Sequence, residues 1–139
     1  MLHKRCFFAL LGIVLWSCND TSSKEPVTST DVAQAFINAT LKMNVDEASK
    51  YVLKDSSGIN MQYMEKLKEH DKRLSKEDIA GYGKANIIIK DIKEEVKDSI
   101  TIVQYGNSYK TTESNRLKLV RQNGKWLVDI QYTFVDNKE

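Results

Sequence analysis

The chain has two cysteines, two histidines and one proline among its 139 residues, and each scarcity closes a class of chemistry. Both cysteines, Cys6 and Cys18, lie at the N-terminal end, so nothing after Cys18 offers a thiol for a disulfide, a metal or a nucleophilic attack. His3 belongs to the same stretch, which leaves His70 alone where a zinc site requires several His or Cys ligands. No metal and no cofactor is expected. An excess of one charge is missing as well. The 21 basic and 19 acidic residues are interleaved, whereas a phosphate-binding face needs a basic stripe, so nucleic acid is not an expected partner. The apolar run from Cys6 to Trp16 is also shorter than the roughly 20 residues that cross a bilayer core of about 30 Å.

That short run has the layout of an export leader instead. His3, Lys4 and Arg5 form a basic region before it, and Asn19 to Ser23 is polar behind it, the order found in signal peptides. At its end, Leu15-Trp16-Ser17-Cys18 resembles the bacterial lipobox, with Leu15, Ser17 and Cys18 carrying the match. The resemblance implies that residues 1–17 are removed as a signal peptide and that Cys18 is acylated, with palmitate or a similar fatty acid. The chain would then be a lipoprotein of the cell envelope, anchored to the inner or outer membrane. Several acyl chains on one cysteine hold far more firmly than a single chain, which binds only marginally. An ordinary leader with an incidental Cys18, or an uncleaved anchor, are the alternatives. Removing Lys4 and Arg5 with the leader leaves 19 residues of each sign, a formally neutral mature protein.

Residues 18–29 are rich in Ser and Thr and hold the sole proline, Pro26, which reads as a lipid-anchored flexible tether. Residues 30–139 are then one small domain with a single core. Thr30 or Asp31 can cap a first helix, with Gln34 completing a capping box, and Val32, Phe36, Ile37, Leu41 and Met43 follow at helical spacing. Asp46 can cap a second short helix bearing Ala48, Tyr51 and Val52. After the turn cluster Asp55 to Gly58, a third helix presents Met61, Met64 and Leu67. Ser75 with Asp78 is another capping signal, and Gly81 with Gly83 is expected to end the helical half.

From Lys84 the period becomes two. Ile87 and Ile89 oppose Ile88 and Ile92, Ile100 and Ile102 oppose Val103 and Tyr105, and Leu117 and Leu119 continue the pattern. Trp126, Val128, Ile130, Tyr132 and Phe134 share one face of a last strand. Asn123-Gly124 is a hairpin signal, since both residues tolerate the positive φ of a type I′ turn, and Lys97-Asp98 marks another turn. The expected class is α+β, with N-terminal helices packed on one face of a curved antiparallel four-stranded sheet.

The stretch Leu117 to Ile130 is similar to the terminal hairpin, and Asp46 to Val52 to the second helix, of the nuclear transport factor 2-like, or cystatin-like, lipoproteins of unknown function found in Bacteroidota. The resemblance runs from Thr30 to Phe134. It implies a sheet wrapped around a long helix to form a cone whose open end is a pocket in many members, sheet edges that pair into dimers in some, and no single activity.

Tyr51, Tyr63, Tyr105, Trp126 and Tyr132 are the aromatic residues placed to line such a pocket, because rings with a polar tip suit ligand sites and small cores alike. His70, between Glu69 and Asp71, reads as a surface histidine, since helix neighbours in sequence do not face one another. Enzymes of this fold, by resemblance, use a pocket carboxylate and a tyrosine. The strand acids here are Asp91 and Asp129, and Asp129 alternates onto the face opposite Trp126. The sequence therefore points to a non-catalytic binding or interaction domain whose partner is a small ligand or an envelope protein. A small isomerase or hydrolase using Asp129 or His70 with a tyrosine is the alternative.

Overall fold

The computed structural model describes residues 25–135; the leader, Cys18 and the tether up to Lys24 lie outside them. Among the described residues, five helices and four strands follow one another as α1 (Ser29–Leu41), α2 (Val45–Ser49), α3 (Ile59–Asp71), α4 (Lys76–Lys84), β1 (Ile87–Val96), β2 (Ile100–Asn107), β3 (Asn115–Gln122), β4 (Lys125–Asp129) and α5 (Ile130–Val135). The fold is α+β, with the helices α1 to α4 preceding a curved antiparallel sheet of order β1-β2-β3-β4.

Local chemistry starts each helix. Thr28, rather than Thr30 or Asp31, caps α1. Its hydroxyl accepts from the Asp31 N–H at 3.1 Å, and the Asp31 carboxylate accepts from the Thr28 N–H at 3.0 Å. This reciprocal box satisfies two donors that a helix start leaves free. Asn44, not Asp46, caps α2 by accepting from the Glu47 N–H. Ser75 caps α4 as its sequence pattern predicts. Gly81 and Gly83, expected to end the helices, both lie inside α4. Gly81 is there because the Tyr109 ring lies against it, and a Cβ at that position would meet the ring at 2.3 Å.

The meander turns where the sequence places its turns, with Asp98, Asn123 and Gly124 all at positive φ. Val103 pairs with Leu117, and Leu119 with both Thr101 and Val128. Leu117, Leu119, Val103 and Val128 are therefore aligned on one face and fully buried. Helix α1 lays Val32, Phe36 and Ile37 on that face, and Met64 of α3 closes the same core. The helix lying on the sheet is thus α1, whereas α3 packs against α2 and α5.

The last strand is shorter than its alternation predicts. β4 ends at Asp129 and the chain turns helical at Ile130, so Ile130 and Tyr132 leave the strand. The side chain of buried Asn60 accepts a hydrogen bond from the Gln131 N–H at 3.0 Å, which gives this amide a partner outside the ladder. Along the free side of β4, the Val128 N–H donates to the Tyr51 carbonyl at 2.8 Å and the Val128 carbonyl accepts from the Leu53 N–H at 2.9 Å. Val52 so forms a parallel bridge with Val128.

Candidate functional site

Because the chain at Tyr51 is pinned alongside Val128, the Tyr51 ring is carried to the end of β4 where Trp126 stands, two residues before Val128. Both line an open cleft of about 1200 Å3. Gln34, Ala35 and Asn38 on the outward side of α1 form the opposite wall, and Pro26 and Val27, at the start of the described chain, border it. Trp126 is half-buried against the core, and Arg121, its cross-strand partner, lies 6.0 Å from the ring centroid.

Glu25, Asp31, Glu47, Lys50 and Lys125 bring charge to the cleft. Lys50 meets Glu47 at 2.6 Å, and the Tyr51 hydroxyl donates to the other Glu47 oxygen at 3.3 Å. The hydrogen bond from Lys50 holds the Glu47 carboxyl below the usual carboxylate range, while burial and then Glu47 raise the Tyr51 phenol. Asp31 is occupied by its cap. The cleft thus offers two aromatic side chains, amide side chains, the Lys50–Glu47 ion pair and the charges of Glu25 and Lys125: a surface for stacking and hydrogen bonding.

The other aromatic residues singled out in the sequence lie elsewhere. Tyr105 packs against the core, and burial, with Glu113 nearby, pushes its phenol up to about 12. Tyr63 also packs on the core, with the Lys66 ammonium 5.1 Å from its ring centroid. Tyr132 lies in α5 beneath the Lys118 ammonium at 5.7 Å. Among the acids, Asp129 pairs with Lys118 at 3.6 Å across β3 and β4 and Asp91 is exposed on β1. His70 is mostly exposed, its Nδ1 3.6 Å from Asp71. Asp71 itself is nearly covered, beside a smaller hollow of about 340 Å3. Its Oδ2 has no hydrogen-bond partner, and burial raises its carboxyl pKa against the opposing effect of His70. Among the described residues no three His, Cys, Asp or Glu side chains gather to hold a metal.

One cluster is absent from the sequence reading. Tyr82 of α4 and Tyr109 of the β2–β3 loop meet edge to face at 5.1 Å. The Tyr109 hydroxyl donates to Asp78 at 3.1 Å, and the Tyr82 hydroxyl to Glu113 at 3.1 Å. Lys110 pairs with Asp78 at 3.1 Å and lies over both rings; the hydrogen bond to Asp78 raises its pKa further. Asn107 turns the loop by accepting from the N–H groups of Tyr109 and Lys110. With every member engaged inside the cluster, it fastens α4 to the sheet. The Tyr109-Lys110 pair near Asn107 was the available signal.

No family model matches the chain, and no curated protein matches it. A solved structure from Campylobacter jejuni, described provisionally as a nuclear transport factor 2-like transpeptidase, is similar over 71% of this chain and 94% of its own, with 14% identity and a TM-score of 0.47. A likeness of that degree assigns neither activity nor ligand. Among the described residues, no helix is long and apolar enough to cross a membrane.

Proposed function

We propose that the protein is a membrane-tethered, non-catalytic binding module of the nuclear transport factor 2-like type, which holds an extended segment of an envelope partner or ligand in the cleft between α1 and the β3–β4 hairpin. The observation that carries this reading is that Tyr51 and Trp126 line the same open cleft. Its volume exceeds the roughly 300–1,000 Å3 of enclosed small-molecule pockets, which favours a long occupant. Two aromatic faces beside amide side chains give such an occupant both apolar area and hydrogen bonds.

The tether supports the same reading. The seven steps from Cys18 to Glu25 extend at most about 25 Å at the reach of a fully stretched chain. Pro26 and Val27 border the cleft, so acylation of Cys18 keeps its mouth near the lipid headgroups, where an envelope partner is met. A Cys18→Ala variant tests the anchor by itself: acyl labelling is expected to vanish, and labelling that persists removes the lipid from this proposal.

Binding is tested with a photo-crosslinking residue at Gln34, inside the cleft, and another at Glu65, exposed on α3. One recurrent adduct from the Gln34 position, lost with Trp126→Leu, is expected. Equal adducts from both positions, or no effect of Trp126→Leu, would overturn the proposal. A catalytic reading has one specific observation in its favour, the Glu47–Tyr51 hydrogen bond within the cleft. A carboxylate held low by Lys50 is a weak general base near neutral pH. Substrate turnover abolished by Glu47→Gln would replace the non-catalytic reading.

A further inference from the structure

β1 is an edge strand of ten residues, and among the described residues only β2 pairs with it. It carries three of the five large hydrophobic side chains exposed across the described chain, Ile88, Ile92 and Val96, at 41%, 46% and 49% exposure. A free edge normally carries charge and short length as protection against pairing. β1 does carry charges, but it is long and interleaves them with exposed apolar side chains.

We propose that β1 is a homodimer interface, in which two copies of the chain pair antiparallel through this strand about a two-fold axis at Ile92. The register follows from the side chains. With Ile92 opposite its own copy, Ile88 falls opposite Val96, Asp91 opposite Lys93, and Lys90 opposite Glu94. By symmetry each of these pairs occurs twice. All three exposed apolar residues are then covered by one another, and Asp91 meets the oppositely charged Lys93, while Lys90 reaches across β2 to the Glu113 carbonyl and Glu94 accepts from the Asp98 N–H. Directly opposed residues are the unit of sheet stabilisation, and like charges placed there are destabilising.

Face assignment supports the register independently. Through its pairing with β2, Ile88 lies opposite Gly106, Asp91 opposite Gln104, Lys93 opposite Ile102 and Val96 opposite Ile100. These four partners alternate along β2, so Ile88, Asp91, Lys93 and Val96 share one face of the sheet, while Ile92, opposite Val103, lies on the other. A two-fold axis perpendicular to the sheet keeps each face, so Ile88 meets Val96 and Asp91 meets Lys93 on the same side. The two irregularities of β1, between Ile89 and Asp91 and between Glu94 and Val96, flank the centre on either side and leave Asp91 to Glu94 regular. Shifting the register by one residue in either direction loses the Ile92 self-pair and sets Ile88 against Glu95 or Lys97.

The test uses the full chain, oxidised in the membrane in which it is expressed. Directly opposed residues of an antiparallel pair have Cα atoms about 4.5–5.5 Å apart, within the reach of a disulfide. Ile92→Cys is expected to give a disulfide-linked dimer that the unaltered chain, with Cys6 and Cys18, does not give. Ile88→Cys and Val96→Cys are expected to crosslink when expressed together and not singly, which reads the register. Asp91→Lys sets like charges opposite each other twice per dimer and should weaken association about tenfold, and adding Lys93→Asp should restore it. Failure of Ile92→Cys to crosslink, crosslinking of Ile88→Cys alone, or a charge reversal that leaves association unchanged would each overturn the proposal.

Discussion

The side-chain oxygen of Asn60, in the first turn of α3, accepts the backbone N–H of Gln131 at 3.0 Å, a contact between residues 71 positions apart that marks where strand becomes helix. Asn60 is 2% exposed while Gln131 is exposed, so removing the amide costs the net worth of one hydrogen bond, about 0.5–1.5 kcal/mol. Asn60→Ala is expected to lose stability by that amount in denaturant unfolding. In hydrogen exchange, the Gln131 amide should lose more protection than amides of β2.

Gly81 and Gly83 lie in the same helix with opposite surroundings. A Cβ on Gly81 meets the Tyr109 ring, whereas a Cβ on Gly83 meets nothing within 4 Å. Gly81→Ala therefore displaces the ring and its bond to Asp78, costing about 1–3 kcal/mol as overpacking does. Gly83→Ala gains up to about 1 kcal/mol from helix propensity. Thermal melts of the two variants should move in opposite directions.

Asp55 accepts from Ser57 and from the N–H groups of Ile59 and Asn60 at the start of α3, and the Ser57 bond foremost lowers its pKa to about 2. A carboxyl depressed on folding contributes stability that is present above its unfolded pKa and is lost as pH falls through the folded value. For Asp55 the window runs from 3.8 down to about 2. Asp55→Asn should flatten the pH dependence of unfolding in that window and leave the slope at neutral pH unchanged.

Asp71 has the reverse sign. Burial raises its pKa on folding, so its ionised form opposes folding, and acidification through its folded pKa relieves that opposition. Asp71→Asn is expected to be more stable than the parent at pH 7, with the difference shrinking as the pH approaches 4 from above. A parent that is as stable as the variant at pH 7 would contradict this.

The parts of the fold legible in the sequence are those set by neighbours in the chain. The period of two from Ile87 to Val128, the positive φ of Asn123 and Gly124, and the cap at Ser75 all follow from residues within a few positions. What was misread depends on distant partners. Alternation from Trp126 to Phe134 matches a strand, but its second half is helical, where Asn60 holds Gln131. Gly81 reads as a helix stop until Tyr109, from another element, is found beside it. Of the aromatic residues, Tyr51 and Trp126 line one cleft, where the Tyr51 carbonyl bonds to Val128, which no spacing in the sequence reveals.

That same bond has a consequence for assembly. The hydrogen bonds of Val128 to Tyr51 and Leu53 occupy the outer margin of β4, so an incoming strand finds the ladder closed there. β1 is left as the sole open margin among the described strands. Association through a single self-complementary margin consumes it in both copies, and the point group closes at two. Discrete pairs then form in preference to filaments, because neither copy retains a template on which a third can polymerise.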